Sequence, residues 1–175
     1  IIIDSSRKIT KMGLNSCGAS ITPKGSIILS TRAPIGHLAI TGIETCTNQG
    51  CKTIVPNQIL VCNTYLYYYL YTFKEILQSL GQGSTFIELS GPNLKDFLIT
   101  FPPLPEQQAI INFIDRKISQ IDAIISKKQR QIELLQEQRT ALIHHAVTKG
   151  LNPSLPLKDS GLDWLGKIPD HWQIL

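Results

Sequence analysis

Gly81-Gln82-Gly83-Ser84-Thr85 is the stretch of this 175-residue chain that comes nearest to a phosphate cradle. Glycines let backbone N–H groups close on an anion, and a hydroxyl can join them. The match stops there. It has no third glycine at the dinucleotide spacing and no Gly-Lys-Ser/Thr, so nucleotide binding is rejected and a flexible polar loop is expected. Metal chemistry fails on the same kind of test. Cys17, Cys46, Cys51 and Cys62 form no C-x-x-C pair, and His37, His144, His145 and His171 stand at no ligand spacing beside them. A structural zinc site is therefore not expected. The scattered thiols read as buried cysteines of a cytosolic protein. His37 is the only histidine before the long helix described below, and the carboxylates there show no pairing. With no Ser/His/Asp or Cys/His set, the residues offer no catalytic constellation.

The elements that would position any site come next. A hydrophobic content of 42% with 17% charged residues is ordinary globular composition and excludes a disordered tail. Net charge is +4, spread thinly: residues 1–104 carry eight Lys/Arg against five Asp/Glu, 105–149 seven against five, and 150–175 two against three. That excess permits nucleic-acid binding without demanding it. No apolar run reaches transmembrane length, and the start lacks the basic end and long apolar core of a signal peptide, so no membrane role is expected. The first residue is Ile rather than Met, which reads as a piece of a longer chain.

Residues 1–104 read as a mixed α/β, or α+β, domain. Strands are predicted at 26–30, 37–41 and 51–55, closed by Gly42 and Pro56, with a polar loop at 45–50. One helix is predicted at 65–80, capped by Asn63 or Thr64, with Tyr65, Leu66, Tyr69, Leu70, Phe73, Ile76, Leu77 and Leu80 on its core face. Short strands at 86–89 and 97–101 flank a turn at 90–93. From Pro105 to Lys149 no Gly or further Pro occurs. Pro105 suits a first helical position, Glu106 the positive end of the dipole, and Gly150 a left-handed cap. Ile111, Ile114, Ile118, Ile121, Ile125, Lys128, Ile132, Leu135, Arg139, Leu142 and Ala146 recur at steps of three and four. That is a coiled-coil seam on a helix about 67 Å long, which must lie on another helix. Its length argues against one helix of a compact bundle. Lys128 and Arg139 interrupt the seam, where they would snorkel or set register. Residues 150–158 read as a linker. Both tryptophans, Trp164 and Trp172, then fall within nine residues, as at the opening of another packed module.

Three runs, in order, give the chain a resemblance. They are Pro102-Pro103-Leu104-Pro105-Glu106-Gln107-Gln108-Ala109-Ile110; the helix end Gln138–Ile143 with Val147-Thr148-Lys149-Gly150-Leu151; and Asp159-Ser160-Gly161 through Trp164-Leu165-Gly166 to Ile168-Pro169-Asp170-His171-Trp172. Together they resemble the specificity subunit of type I restriction-modification systems, over 80–175 closely and 25–79 more loosely. The resemblance implies a partial target recognition domain at 1–104, a conserved spacer helix at 105–149, the linker at 150–158, and the start of a second target recognition domain at 159–175. The opening Trp-Leu-Gly…Ile-Pro motif does not precede the first domain, which therefore reads as truncated.

Such subunits imply a non-catalytic reader of double-stranded DNA. Two recognition domains each read half of a split site, and two helices pack antiparallel. The partner helix comes from the same or a second specificity chain. Methyltransferase (M) subunits and motor-nuclease (R) subunits carry the chemistry in the cytoplasm. No cofactor is expected on this chain, since S-adenosylmethionine would bind a partner subunit, and no methyltransferase motif or nuclease carboxylate cluster occurs here. Reading DNA needs cations for phosphates and amide or guanidinium groups for base edges. Lys24, Arg32, Asn48, Gln49, Lys52, Gln82, Ser84 and Thr85 are the loop candidates, each alone also an ordinary surface residue. Ile111, Ile114, Ile118, Ile121, Ile125, Ile132, Leu135 and Leu142 are the helix-packing candidates. The competing class is a coiled-coil interaction module with an unrelated α/β head and no DNA role. It explains the helix but not the second opening motif.

Overall fold

The apolar run after Gly25 forms strand β1 (Ile27–Ser30), in which Ile27 and Leu29 are buried while Ile28 and Ser30 are half-buried. This is the two-residue alternation of a strand with one face on a core. The computed structural model describes residues 1–83 and 87–174. They fall into two units, Ile1–Asp115 and Arg116–Leu175. Ahead of β1 in the first unit is a short helix, α1 (Lys11–Asn15). β1 pairs antiparallel with β2 (Leu38–Ile40) on one side and β3 (Cys51–Ile54) on the other, Ile27 facing both Ile40 and Ile54 and Ser30 facing Cys51. Each strand is slightly shorter than its sequence pattern predicts.

The single helix predicted at 65–80 is two. α2 (Asn63–Thr72) and α3 (Lys74–Ser79) meet at Phe73, whose φ of −96° and ψ of 23° leave the helical region. The Phe73 ring packs on Tyr69 and Phe97, with centroids 4.7 and 6.5 Å away. Leu66, Leu70 and Leu77 still share one buried core with Ile27, Leu29, Ile35, Val61 and Leu89. The predicted cap also changes. Cys62 holds the cap position without a side-chain bond. Asn63 lies inside the helix instead, and its Nδ2 donates to the Gly25 carbonyl at 3.3 Å. It thereby ties the start of α2 to the turn before β1.

The turn predicted at 90–93 is a helical turn, α4 (Gly91–Lys95), because Ser90 Oγ accepts from the Asn93 N–H at 3.2 Å and Pro92 suits a first turn. Phe97 and Ile99 pack against the core, but among the described residues none pairs with 97–101 as a ladder. Of the strand predicted at 86–89, Phe86 lies outside the described residues, and Glu88 makes isolated bridges to Arg32 and Gln82.

α5 runs from Leu104 to Lys149 and begins inside the first unit. Gln107 on its second turn is fully buried. Its Oε1 accepts from the Cys62 N–H at 2.8 Å, and its Nε2 donates to the carbonyls of Leu60 and Pro102 at 2.9 and 2.7 Å. In the second unit α5 ends on Gly150 at φ +78°, with its N–H on the Ala146 carbonyl at 3.2 Å, a left-handed cap. An antiparallel pair follows, β4 (Leu157–Asp159) with β5 (Lys167–Pro169). β4 thus starts within the predicted linker. Ile168 and Ser160 are buried there, and the Lys149 ammonium donates to the Lys167 carbonyl. Trp172 sits beside Gly150, whereas Trp164 is 78% exposed.

Candidate functional site

Antiparallel pairing of β1 with both neighbours gathers three connections at one end of the sheet. The end of β1 leads into 31–37, the start of β3 follows 46–50, and Leu89 N–H bonds the Thr31 carbonyl at 2.8 Å, bringing in the segment around Glu88. Thr31 N–H in turn reaches the Gly50 carbonyl at 2.8 Å. Arg32, Asn48, Gln49, Lys52 and Gln82 therefore converge, although they span fifty residues of sequence. Lys24 lies at the other end, in the turn before β1, where Gly25 N–H bonds the Thr41 carbonyl at 2.8 Å. Ser84 and Thr85 lie outside the described residues.

The side chains at this end differ in freedom. Asn48 Oδ1 accepts from the Gly50 N–H at 3.1 Å, so its carbonyl braces its own loop while the residue stays exposed. Asn48, Gln49 and Lys52 line a hollow of about 670 Å³ together with residues 17–20. Lys52 also borders a more apolar cavity of about 370 Å³ walled by Ile54, Leu66, Leu70, Leu94, Phe97 and Ile99, with Lys95 on its wall. Among the described residues Lys52 has no ion pair, and Arg32 has one: its Nε stands 3.1 Å from Glu88 Oε2. Glu88 was not a sequence candidate. Fifty-six residues separate it from Arg32, and no local pattern marks such a pairing.

The helix-packing candidates divide sharply. Ile111 is 5% exposed and Ile114 half-buried, whereas exposure runs from 42% at Ile118 to 68% at Leu142, with Ile121, Ile125, Ile132 and Leu135 between. Lys128, expected to act across a seam, donates to Gln131 on its own helix at 3.2 Å. Gln107 and Asp115 are likewise not among the sequence's site candidates. The Tyr68 hydroxyl donates to Asp115 Oδ1 at 2.5 Å. That bond, with some desolvation, pushes the phenol up to about 12. Burial raises Tyr65 as well. The thiols expected to be buried are not: Cys17 is exposed and Cys46, Cys51 and Cys62 are half-buried, lying in loops or at strand or helix ends rather than in the core. Among the described residues no three His, Cys, Asp or Glu gather as a metal site, and no helix is long and apolar enough to cross a membrane.

A family model described as the type I restriction modification DNA specificity domain matches residues 2–134. The type I restriction enzyme MjaIX specificity subunit of Methanocaldococcus jannaschii is 40% identical over 133 residues, which cover 75% of this chain and 30% of that protein. Among solved structures, a chain reported with the complex assembly and conformational transition of the type I R-M system superposes with a TM-score of 0.64 at 24% identity, over 75% of this chain and 32% of that one. The HsdS subunit of Thermoanaerobacter tengcongensis gives 0.57 at 22%, over 75% and 31%. Both share the fold: a mixed α+β body with a long helix. The chain spans about 30% of the length of the curated relative it matches.

Proposed function

This chain belongs to the type I restriction-modification DNA specificity domain family, and from that premise we propose that it reads one half of a split double-stranded DNA site for a type I complex. It is a non-catalytic part of a specificity subunit. M subunits methylate and R subunits translocate and cut where the reader directs them, in the cytoplasm. The exposed stripe of α5 from Ile118 to Leu142 takes an antiparallel helix of the same or a second specificity chain.

The observation that carries this reading is the convergence of Arg32, Asn48, Gln49, Lys52 and Gln82 at one end of the sheet. Cations that neutralise phosphates and amides that reach base edges are the two things a DNA reader needs in one place. Lys52, with no ion pair among the described residues, supplies the first, and the exposed side chains of Asn48, Gln49 and Gln82 supply the second.

The test uses the full-length protein with its methyltransferase subunit and duplexes drawn from a random library. Affinity should fall with salt, and Lys52→Ala should lower the slope of log affinity against log salt by about 1. Lys24→Ala, at the opposite end, should leave the slope unchanged. Salt-independent affinity would sink the proposal and favour the interaction-module reading. A heptad inserted near Lys128 lengthens the helix by about 10.5 Å. That corresponds to about three base pairs at about 3.4 Å each. Methylated sites of an active insert should therefore show a changed gap. An unchanged gap would deny α5 its spacer role.

A further inference from the structure

We propose that Glu88 is a positioning residue for Arg32, and that the pair so formed reads one guanine of the DNA site; this rests on the DNA-reading function proposed above. Glu88 Oε2 lies 3.1 Å from Arg32 Nε. It therefore engages the side of the guanidinium and leaves the two terminal nitrogens, which meet no acceptor among the described residues. Those two nitrogens form the fork that matches guanine O6 and N7 in the major groove.

Three observations favour a base edge over a phosphate. The first is charge. A carboxylate 3.1 Å from Arg32 cancels most of its pull on a phosphate and would repel one brought alongside. Lys52, with no such partner among the described residues, is the better phosphate ligand. The second is preorganisation. Arg32 and Glu88 are bridged through their backbones, and Glu88 exchanges two further backbone bonds of 3.0 Å with Gln82. The Arg32–Glu88 bridge is held by the Leu89 N–H to Thr31 carbonyl bond of 2.8 Å, and the buried Thr31 is also bonded to Gly50 at 2.8 Å. Both ends of the ion pair are thus anchored before DNA arrives, which lowers the ordering cost of a directional contact. The third is access. The Arg32 side chain is 48% exposed, and the loop before β3 passes beside its stem, where a Cβ on Gly50 would stand 3.7 Å from Arg32 Cδ. The side chain is thus flanked by Glu88 at its Nε and by the loop before β3 along its stem, and about half of it stays open to solvent.

The experiment is selection of duplexes from a random library by the full-length protein with its methyltransferase subunit, followed by affinities for single-base variants of the enriched motif. Arg32→Ala should lose about tenfold discrimination for guanine at one position. Arg32→Lys, which keeps the charge but not the fork, should lose the same discrimination with the salt slope intact. Glu88→Ala should lose less, about threefold, at that same position. Glu88→Gln keeps an oxygen for Nε and should recover most of it. Uniform weakening on all sequences by Arg32→Ala with a smaller salt slope would make Arg32 a phosphate ligand and overturn the inference. A preference lost at a different position on Glu88→Ala would make Glu88 a reader in its own right, and overturns it as well. If the unaltered protein enriches no motif, the DNA-reading function falls and this inference with it. An enriched motif that Arg32→Ala and Arg32→Lys leave intact defeats this inference alone.

Discussion

The first three turns of α5 and the remainder of the same helix carry one apolar repeat, yet they meet different fates. Ile111 is 5% exposed, and beside it Gln107 is fully buried with three bonds to backbone. Leu142, in the same repeat, is 68% exposed. A heptad therefore states that a helix face needs cover without stating what covers it. In the first unit the stripe is covered at Ile111 and partly at Ile114. From Ile118 to Leu142 the stripe is exposed, and the partner helix proposed above would cover it.

The comparison can be broken hardest at Gln107. Replacing it with Leu should cost about 2–3 kcal/mol, because the Cys62 N–H and the carbonyls of Leu60 and Pro102 lose the fully buried side chain that bonds all three. The two units carry separate probes: all five tyrosines lie in α2, and both tryptophans lie in the second unit. Tyrosine fluorescence in urea should report the loss. An unchanged midpoint would mean that Gln107 does not hold α5 to its unit.

Next in size is a paired truncation. Ile111→Ala should cost about 2–3 kcal/mol of unfolding free energy in the chain by itself, while Ile125→Ala costs under about 0.5 kcal/mol. The order should reverse for association. Light scattering should show the chain forming oligomers through the open stripe, and Ile121→Glu with Ile125→Glu should return it to monomer with its helix signal intact in circular dichroism. A monodisperse parent would argue that the stripe is not sticky enough to be an interface.

The smallest effect is at Tyr68. Its folded phenol is held up to about 12, chiefly by the bond to Asp115. A group raised in the folded state adds stability that is complete below its unfolded value of about 10 and is lost as pH climbs through the folded value. Tyr68→Phe should thus cost about 0.5–1 kcal/mol at pH 8. The gap between parent and variant should close between pH 10 and 12. Tyr65, raised by burial, keeps part of the alkaline loss in both proteins. A gap constant across that range would mean that the Asp115 bond does not form in solution.

Local signals served where local chemistry decides. The apolar runs near 26–30, 37–41 and 51–55 became strands because alternation and turn residues act over a few neighbours. Gly150 ended α5 because its φ of +78° is open to glycine at little cost. The reading of 65–80 as one helix failed for a non-local reason: Phe73 packs on Phe97, twenty-four residues on. Ser90 before Gly-Pro-Asn suits a turn and a helix cap alike, and the types alone do not separate the two.

For the candidate site, residue types alone proposed amides and cations scattered from Lys24 to Thr85. What they could not supply was company. The antiparallel register of β1 with β3 brought Arg32 to Asn48, Gln49 and Lys52 and put Lys24 at the other end. The sequence by itself determined the period of α5, its boundaries and the stripe that must be covered, because those depend on neighbours one turn away. Only the tertiary structure decided that Gln107 is a buried clamp, that the cover stops after the first turns, and that Glu88 faces Arg32. The Gln107 bonds to Cys62 and Leu60 and the Glu88–Arg32 pair join residues 45, 47 and 56 positions apart, a distance that pairing and burial can close and local propensity cannot encode.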